Sequence, residues 1–330
     1  STVTITSGGA FNIASGGILQ TANVTTGAST ITGGKLTSGT AELVIRTDSA
    51  TQPFVITSSF AGNTAITKTG NGSLQLTGTN TSTGQLQLQA GTIIVSGGNA
   101  IGDSSLVTLA DDQTNTLQML NNETVGALAG GNATAGQLMG TVDIGSNTLT
   151  ISGTGQSGNQ VYSGVVTGSG SIVKYGSGTN INQQFAGAST GFTGTVTVNA
   201  GLFFLEGLGA MNTSSITVNK GASFLISNNG SVSAGSRLLD TASIILNSAD
   251  GAWSGETRPS GLAIRRDQGS GLNETVGLLS LNSGASYARL EATATSAIAQ
   301  LITDNITRSN NATFDVRGTM TIGSADTCDV

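Results

Sequence analysis

Apolar and polar residues alternate along most of this chain with a period of two. "SLQLTG" sets Leu74 and Leu76 against Ser73, Gln75 and Thr77, and "GQLQLQAG" repeats this with Leu86 and Leu88. "TLTISG" does so with Leu149 and Ile151, "GTVTVNAG" with Val196 and Val198, and "TFDVRGTMTIG" with Phe314, Val316, Met320 and Ile322. One apolar face at this period is the mark of a strand half-buried in a sheet. Gly-Gly, Asn-Gly and Ser-Gly pairs bound the runs and supply the positive φ of tight corners. Helical spacing is scarce; its best instance is the short and ambiguous "SAIAQLITDNI" at 296–306. The pattern predicts an all-β chain.

The pattern also repeats. "AITKTGNGS" at 65–73 realigns with "SIVKYGSGT" at 171–179, bringing Ile66, Lys68, Gly70 and Gly72 onto Ile172, Lys174, Gly176 and Gly178. After a four-residue insertion, "GQLQLQAGTIIVSGGNAIGDSSL" at 84–106 realigns with "GTVTVNAGLFFLEGLGAMNTSSI" at 194–216, so the repeat-like segments are 65–106 and 171–216. The word "NETVGAL" at 122–128 returns as "NETVGLL" at 273–279.

Short alternating strands, glycine corners and self-similarity together predict a parallel β-solenoid. In such a coil each turn pairs with the turns above and below, and the narrow interior is filled by stacked Val, Ile and Leu. Coils of roughly 20–25 residues would carry residues 1–330 as one continuous solenoid, a single elongated rod. Leu74, Leu76, Leu86, Leu88, Val196, Val198, Phe203 and Leu205 are expected inside, with Gln75, Gln87 and Thr197 exposed. A sandwich array would need more regular hairpin turns and more aromatic core than this chain has.

Residues 66–97, "ITKTGNGSLQLTGTNTSTGQLQLQAGTIIVSG", resemble the autotransporter-associated β-strand repeat of bacterial surface proteins. The resemblance lies in the lysine, the Gly70 and Gly72 corner, the alternating leucines, Gly78, Asn80-Thr81, Gly84 and Ala90-Gly91. The second copy keeps Lys174, Gly176, Gly178, Gly194, Ala200 and Gly201 and departs in its middle. The repeat covers about a fifth of the chain, on the bounds of 66–97 and its second copy. It implies a secreted, right-handed parallel β-helix in a surface passenger, hence an extracellular location on a bacterial surface.

Composition changes the picture by removing chemistry. Only 9% of residues are charged and 49 are glycine, values that can mark disorder, but the persistent Val/Ile/Leu alternation and only two prolines argue for a folded chain. Without a histidine, a Ser-His-Asp triad, a Cys-His pair and histidine metal sites are excluded. The turns lack the repeated aspartates of calcium-binding nonapeptides. Asp111-Asp112 reads as a polar turn and the Thr-x-Thr pairs as exposed strand faces. The expectation is a non-enzyme without cofactor or metal. No basic patch with aromatics addresses nucleic acid, and no apolar run of 18 residues spans a membrane. Cys328, the single thiol, makes no internal disulfide.

Charge gathers late: residues 237–330 hold seven of the twelve basic residues. "DGAWSGETRPSGLAIRRDQGSGLNETVG" at 250–277 is the longest break in the alternation and is expected to be an inserted, projecting loop. Trp253, Arg258, Arg265, Arg266 and Asp267 are its candidate contact residues, and Tyr287 could join Trp253 beside a sugar. Two functions follow as expectations. One is a structural element, a stalk, matrix component or filament subunit. The other is an adhesin holding a cell-surface or glycan ligand. Neither end shows a helical or polar cap, so either the chain is cut from a longer passenger or its ends are covered by other copies stacked end to end.

Overall fold

The structure, a computed structural model, describes the chain except residues 16, 40–41, 112–114, 132–139, 177–180, 229–234, 250–260, 267–271, 293–298, 318–319 and 323–330. Among the described residues there is no helix, every strand pairing is parallel, and the sheets stack as a β-solenoid. The chain divides into two compact units, Ser1–Gln156 with Ser163–Thr167, and Ser157–Tyr162 with Gly168–Val330.

In the first unit two long walls face each other. One runs through Thr2–Thr4, Ser29–Thr32, Phe54–Ile56, Ser73–Leu76, Thr92–Val95, Thr116–Met119, Thr141–Asp143 and Val165–Thr167. The other runs through Gly17–Gln20, Leu43–Thr47, Ile66–Thr69, Leu86–Leu88, Leu106–Leu109 and Ala127–Gly130. A short third wall of Ala10–Asn12, Lys35–Thr37 and Ser59–Phe60 joins them early, and Glu123–Val125 pairs with Thr148–Ile151 later.

The second unit has the same plan. One wall comprises Gly158–Tyr162, Ile181–Phe185, Gly201–Leu205, Ala222–Asn228, Leu262–Arg266, Ala285–Ala292 and Thr313–Arg317. The other comprises Ser171–Lys174, Thr195–Val198, Ser215–Asn219, Ser243–Asn247, Leu272–Ser283, Ala299–Arg308 and Met320–Ile322. The ambiguous 296–306 segment is therefore strand over its described part, because its apolar Ala299 and Leu301 fall at period two on a buried face.

Register explains the repeats. Lys68 pairs with Leu88 and Lys174 with Val198, so the second copy's coil is longer by the four inserted residues. Corners are set by glycines that stack on one another. Gly70 (φ 75°) and Gly91 (φ 78°) sit on successive coils in the left-handed region. A Cβ on Gly70 would lie 2.4 Å from the Thr47 carbonyl oxygen, and one on Gly91 2.5 Å from that of Gly70. No side chain fits such a corner.

The eight residues expected inside are all buried. Gln75, Gln87 and Thr197 are half-buried rather than exposed, because side chains of the adjacent coils flank them at the sheet spacing. Aromatics, few as they are, form an interior ladder in the second unit. Tyr162 meets Phe185 edge-on at 6.2 Å, Phe185 stacks on Phe203 at 5.0 Å, and Phe203 tilts against Phe224 at 6.1 Å. Val3 is 53% and Phe11 50% exposed, whereas their register partners Ile31 and Leu36 are 6% and 0% exposed.

Candidate functional site: charged clamps at the coil corners

Lys68, Lys174, Glu123 and Glu274 stand within paired strands and direct their side chains at turns, where strand pairing lapses and backbone groups need other partners. Lys68 occupies an inward column between Ile45 and Leu88. Its Nζ donates to the carbonyls of Thr69 (2.9 Å), Gly70 (2.6 Å) and, one coil on, Ala90 (2.9 Å). Burial lowers its pKa to about 8, with Asp48 raising and Arg46 lowering it. Lys174, its counterpart in the second copy, is also buried, donates to the Tyr175 carbonyl and is lowered to about 8 by burial.

Carboxyls do the opposite task. Glu123, 3% exposed, accepts the amides of Ala100 (3.0 Å) and Ile101 (3.2 Å) from the preceding coil. Glu274, 0% exposed, accepts those of Arg237 (2.8 Å) and Leu238 (2.9 Å), and the Ser236 hydroxyl (3.1 Å). Both glutamates come from the recurring word Asn-Glu-Thr-Val-Gly. Burial pushes each carboxyl up to about 7 against the pull of its amide donors; Asp103 adds to the rise at Glu123, and Arg237 opposes it at Glu274.

Two neutral or cationic variants complete the set. Asn80 accepts the Phe60 amide at 2.7 Å and donates to the Ala100 carbonyl, bridging three coils. The buried Arg237 guanidinium donates to the carbonyls of Gly209 (2.6 Å) and Gly207 (2.9 Å) and to Asn228 Oδ1 (2.6 Å). Burial lowers its pKa to about 10 despite Glu274 and Glu206.

The candidate contact residues are placed differently from the sequence expectation. Trp253, Arg258 and Asp267 lie outside the described residues. Arg265 and Arg266 are not on a projecting loop: they end strand Leu262–Arg266, in register with Ser227 and Asn228 on one side and Glu291 and Ala292 on the other. Arg266 is buried, sharing its parity with Leu262 and Ile264, and Leu272–Val276 is already strand, so 250–277 is not one continuous loop. Tyr287 is half-buried and its amide donates to the Ala249 carbonyl.

On the outward side of this wall Arg265 continues a polar run. Asn159 donates to Gln184 (2.8 Å), Gln184 to Glu206 (3.0 Å) and Ser227 to Glu206 (3.3 Å), while Arg289 pairs with Glu291. Beside it, outward-pointing Leu202, Phe204, Leu225 and Ala263 are only 4–6% exposed and form a second apolar cluster. Among the described residues no group of three Asp, Glu, Cys or His is placed to hold a metal ion.

Sequence reading located neither the lysines nor the glutamates as functional groups. The signal was parity: Lys68 shares the face of Ile66, Glu123 that of Val125, and Glu274 that of Leu272 and Val276. No family model matches this chain, and neither the curated proteins nor the solved structures contain a match.

Proposed function

We propose that the chain is a non-enzymatic structural β-solenoid on the outside of a bacterial cell, a stalk, matrix component or filament subunit. The observation that carries this is the use made of its buried charges. Lys68, Glu123, Arg237 and Glu274 each bond backbone groups of their own or adjoining coils, Arg237 and Glu274 adding the side chains of Asn228 and Ser236. A reaction centre holds such groups convergent on a space where a substrate can lie, with its donors and acceptors left for that substrate. Here they are spent on holding one coil to the next, which serves stiffness and length. The resemblance of residues 66–97 to a surface-passenger repeat supplies the extracellular setting.

Self-association belongs to the same proposal. Val3 and Phe11 are half-exposed, a surface that either a second copy or a further coil of a longer passenger would cover in continuation of the parallel pairing. The adhesive alternative draws on Trp253, Arg258 and Asp267, whereas Arg265 and Arg266 stand in a central strand. A glycan-array and cell-binding screen of the purified chain tests the structural reading. A chain that binds no array member and resists protease supports it, and saturable binding to one ligand overturns it in favour of an adhesin.

A further inference from the structure

We infer that the corner held by Lys68 is a chemical lock on Asn71-Gly72, keeping the asparagine from deamidation until the corner opens. Asn-Gly is the pair in which this reaction is fastest, because glycine sets no side chain in the way of its own nitrogen. The step is intramolecular. The Gly72 nitrogen attacks Asn71 Cγ, the new N–C bond closes a five-membered imide, and the Cγ–Nδ2 bond breaks. The proton from the Gly72 nitrogen goes to the departing ammonia. Water then opens the imide at either carbonyl, giving aspartate or isoaspartate. The other Asn-Gly pair, Asn229-Gly230, lies outside the described residues.

Asn71 is exposed, so water reaches its carboxamide, but the nucleophile beside it is tied down. The Gly72 N–H donates to the Thr47 carbonyl of the preceding coil at 2.8 Å, and the Gly72 carbonyl accepts the Thr92 amide of the following coil at 3.3 Å. Gly72 lies so close on the earlier coil that a Cβ there would stand 2.6 Å from the Ser49 carbonyl oxygen. From the other side, a Cβ on Gly91 would stand 2.9 Å from the Asn71 carbonyl carbon. Turning the Gly72 nitrogen toward Cγ therefore breaks a backbone hydrogen bond and moves a peptide that two coils enclose. Lys68 secures the same corner from within. Its Nζ donates to the Gly70 carbonyl, the group bonded to the Asn71 nitrogen, and to those of Thr69 and Ala90. Ring closure then waits for a local opening, and its rate is the open-chain rate multiplied by the fraction of open corners.

Peptide mapping of the full chain aged at mildly alkaline pH, with aspartate and isoaspartate at Asn71 as the readout, tests the proposal. The reference is the same chain unfolded in guanidinium at that pH. Deamidation at Asn71 should be at least about tenfold slower in the folded chain, by a factor that matches the hydrogen-exchange protection of the Gly72 amide. Lys68→Met, which keeps the stem and removes the donors, should raise the folded rate at least about fivefold. Equal rates in the folded and unfolded chains overturn the proposal, as does ring closure faster than the opening that exchange measures at Gly72. These comparisons need no variant, so they decide even where Lys68→Met does not fold. A folded Lys68→Met chain that deamidates at the parental rate overturns the role given to Lys68.

Discussion

Lys68 donates from its Nζ to the Ala90 carbonyl at 2.9 Å, joining a corner to the one that stacks upon it. With the Thr69 and Gly70 carbonyls also on the ammonium, three backbone acceptors depend on one side chain. Lys68→Met keeps the stem and removes the donors. It should destabilise the chain by about 1–3 kcal/mol, the cost of leaving buried acceptors unpaired after the burial cost of the charge is relieved. Chemical denaturation reads this; a midpoint equal to that of the parent would show that water serves the carbonyls equally well.

Parity made most of the fold legible. Leu74, Leu76, Val196 and Val198 alternate so regularly that only a two-faced sheet accommodates them, and the glycine corners fix where each strand stops. The clamps were harder to see because residue type and position disagree. A lysine or glutamate at an inward position reads as a solvated charge until its face is counted, as at Lys68 and Glu123. Arg265 and Arg266 misled in the opposite sense. Clustered charge in "AIRRDQGSG" masks the strand parity of Leu262, Ile264 and Arg266, so the segment reads as a loop although Leu262–Arg266 is a strand.

Leu88→Asp tests the register itself. Leu88 is buried in a column between Lys68 and Leu109, and a carboxylate there would lack hydration. The loss should be at least about 3 kcal/mol, the lower part of the range for emptying such a site plus the cost of a buried polar group. Gln75→Asp, on the outward face, should stay within about 0.5 kcal/mol. Thermal melting of the two variants separates them, and equal melting temperatures would place Leu88 on the wrong face.

Phe203 sits between Phe185 and Phe224 in the interior ladder. Phe203→Ala removes both contacts and leaves a cavity, with an expected cost of about 3–5 kcal/mol. Phe203→Leu retains much of the volume and should cost less. The near-ultraviolet circular dichroism of the remaining rings should weaken in both variants, since ring packing rather than strand content produces that signal. An unaltered spectrum would mean that the ladder is not rigid.

End-to-end association makes a prediction visible by electron microscopy. If the half-exposed face of Val3 and Phe11 accepts a second copy, the chain at moderate concentration forms unbranched fibres. Val3→Asp with Phe11→Asp should abolish them, because both side chains are half-exposed on that coil. Monomers that remain dispersed over days would remove self-assembly from the proposed function while leaving the solenoid intact.

The buried clamps also predict the shape of the stability profile. Glu123 and Glu274, raised to about 7, bind protons more tightly in the folded chain than in the unfolded one, so their contribution declines as pH climbs from about 4.5 to about 7. Lys68 and Lys174, lowered to about 8, do the reverse: the unfolded chain holds the extra protons between about 8 and 10.5, and stability rises with pH there. Tyr162, whose hydroxyl is raised by burial, turns the curve down again once unfolded tyrosine ionises near 10. These groups therefore place a minimum between pH 7 and 8, where globular chains are ordinarily near their most stable. Urea midpoints taken from pH 4.5 to 10 at constant ionic strength measure it. Glu123→Gln with Glu274→Gln should flatten the acid limb, and Lys68→Met with Lys174→Met the alkaline one. A single broad maximum near neutrality in the unmodified chain would mean that the corner charges are hydrated and the clamps are not dry.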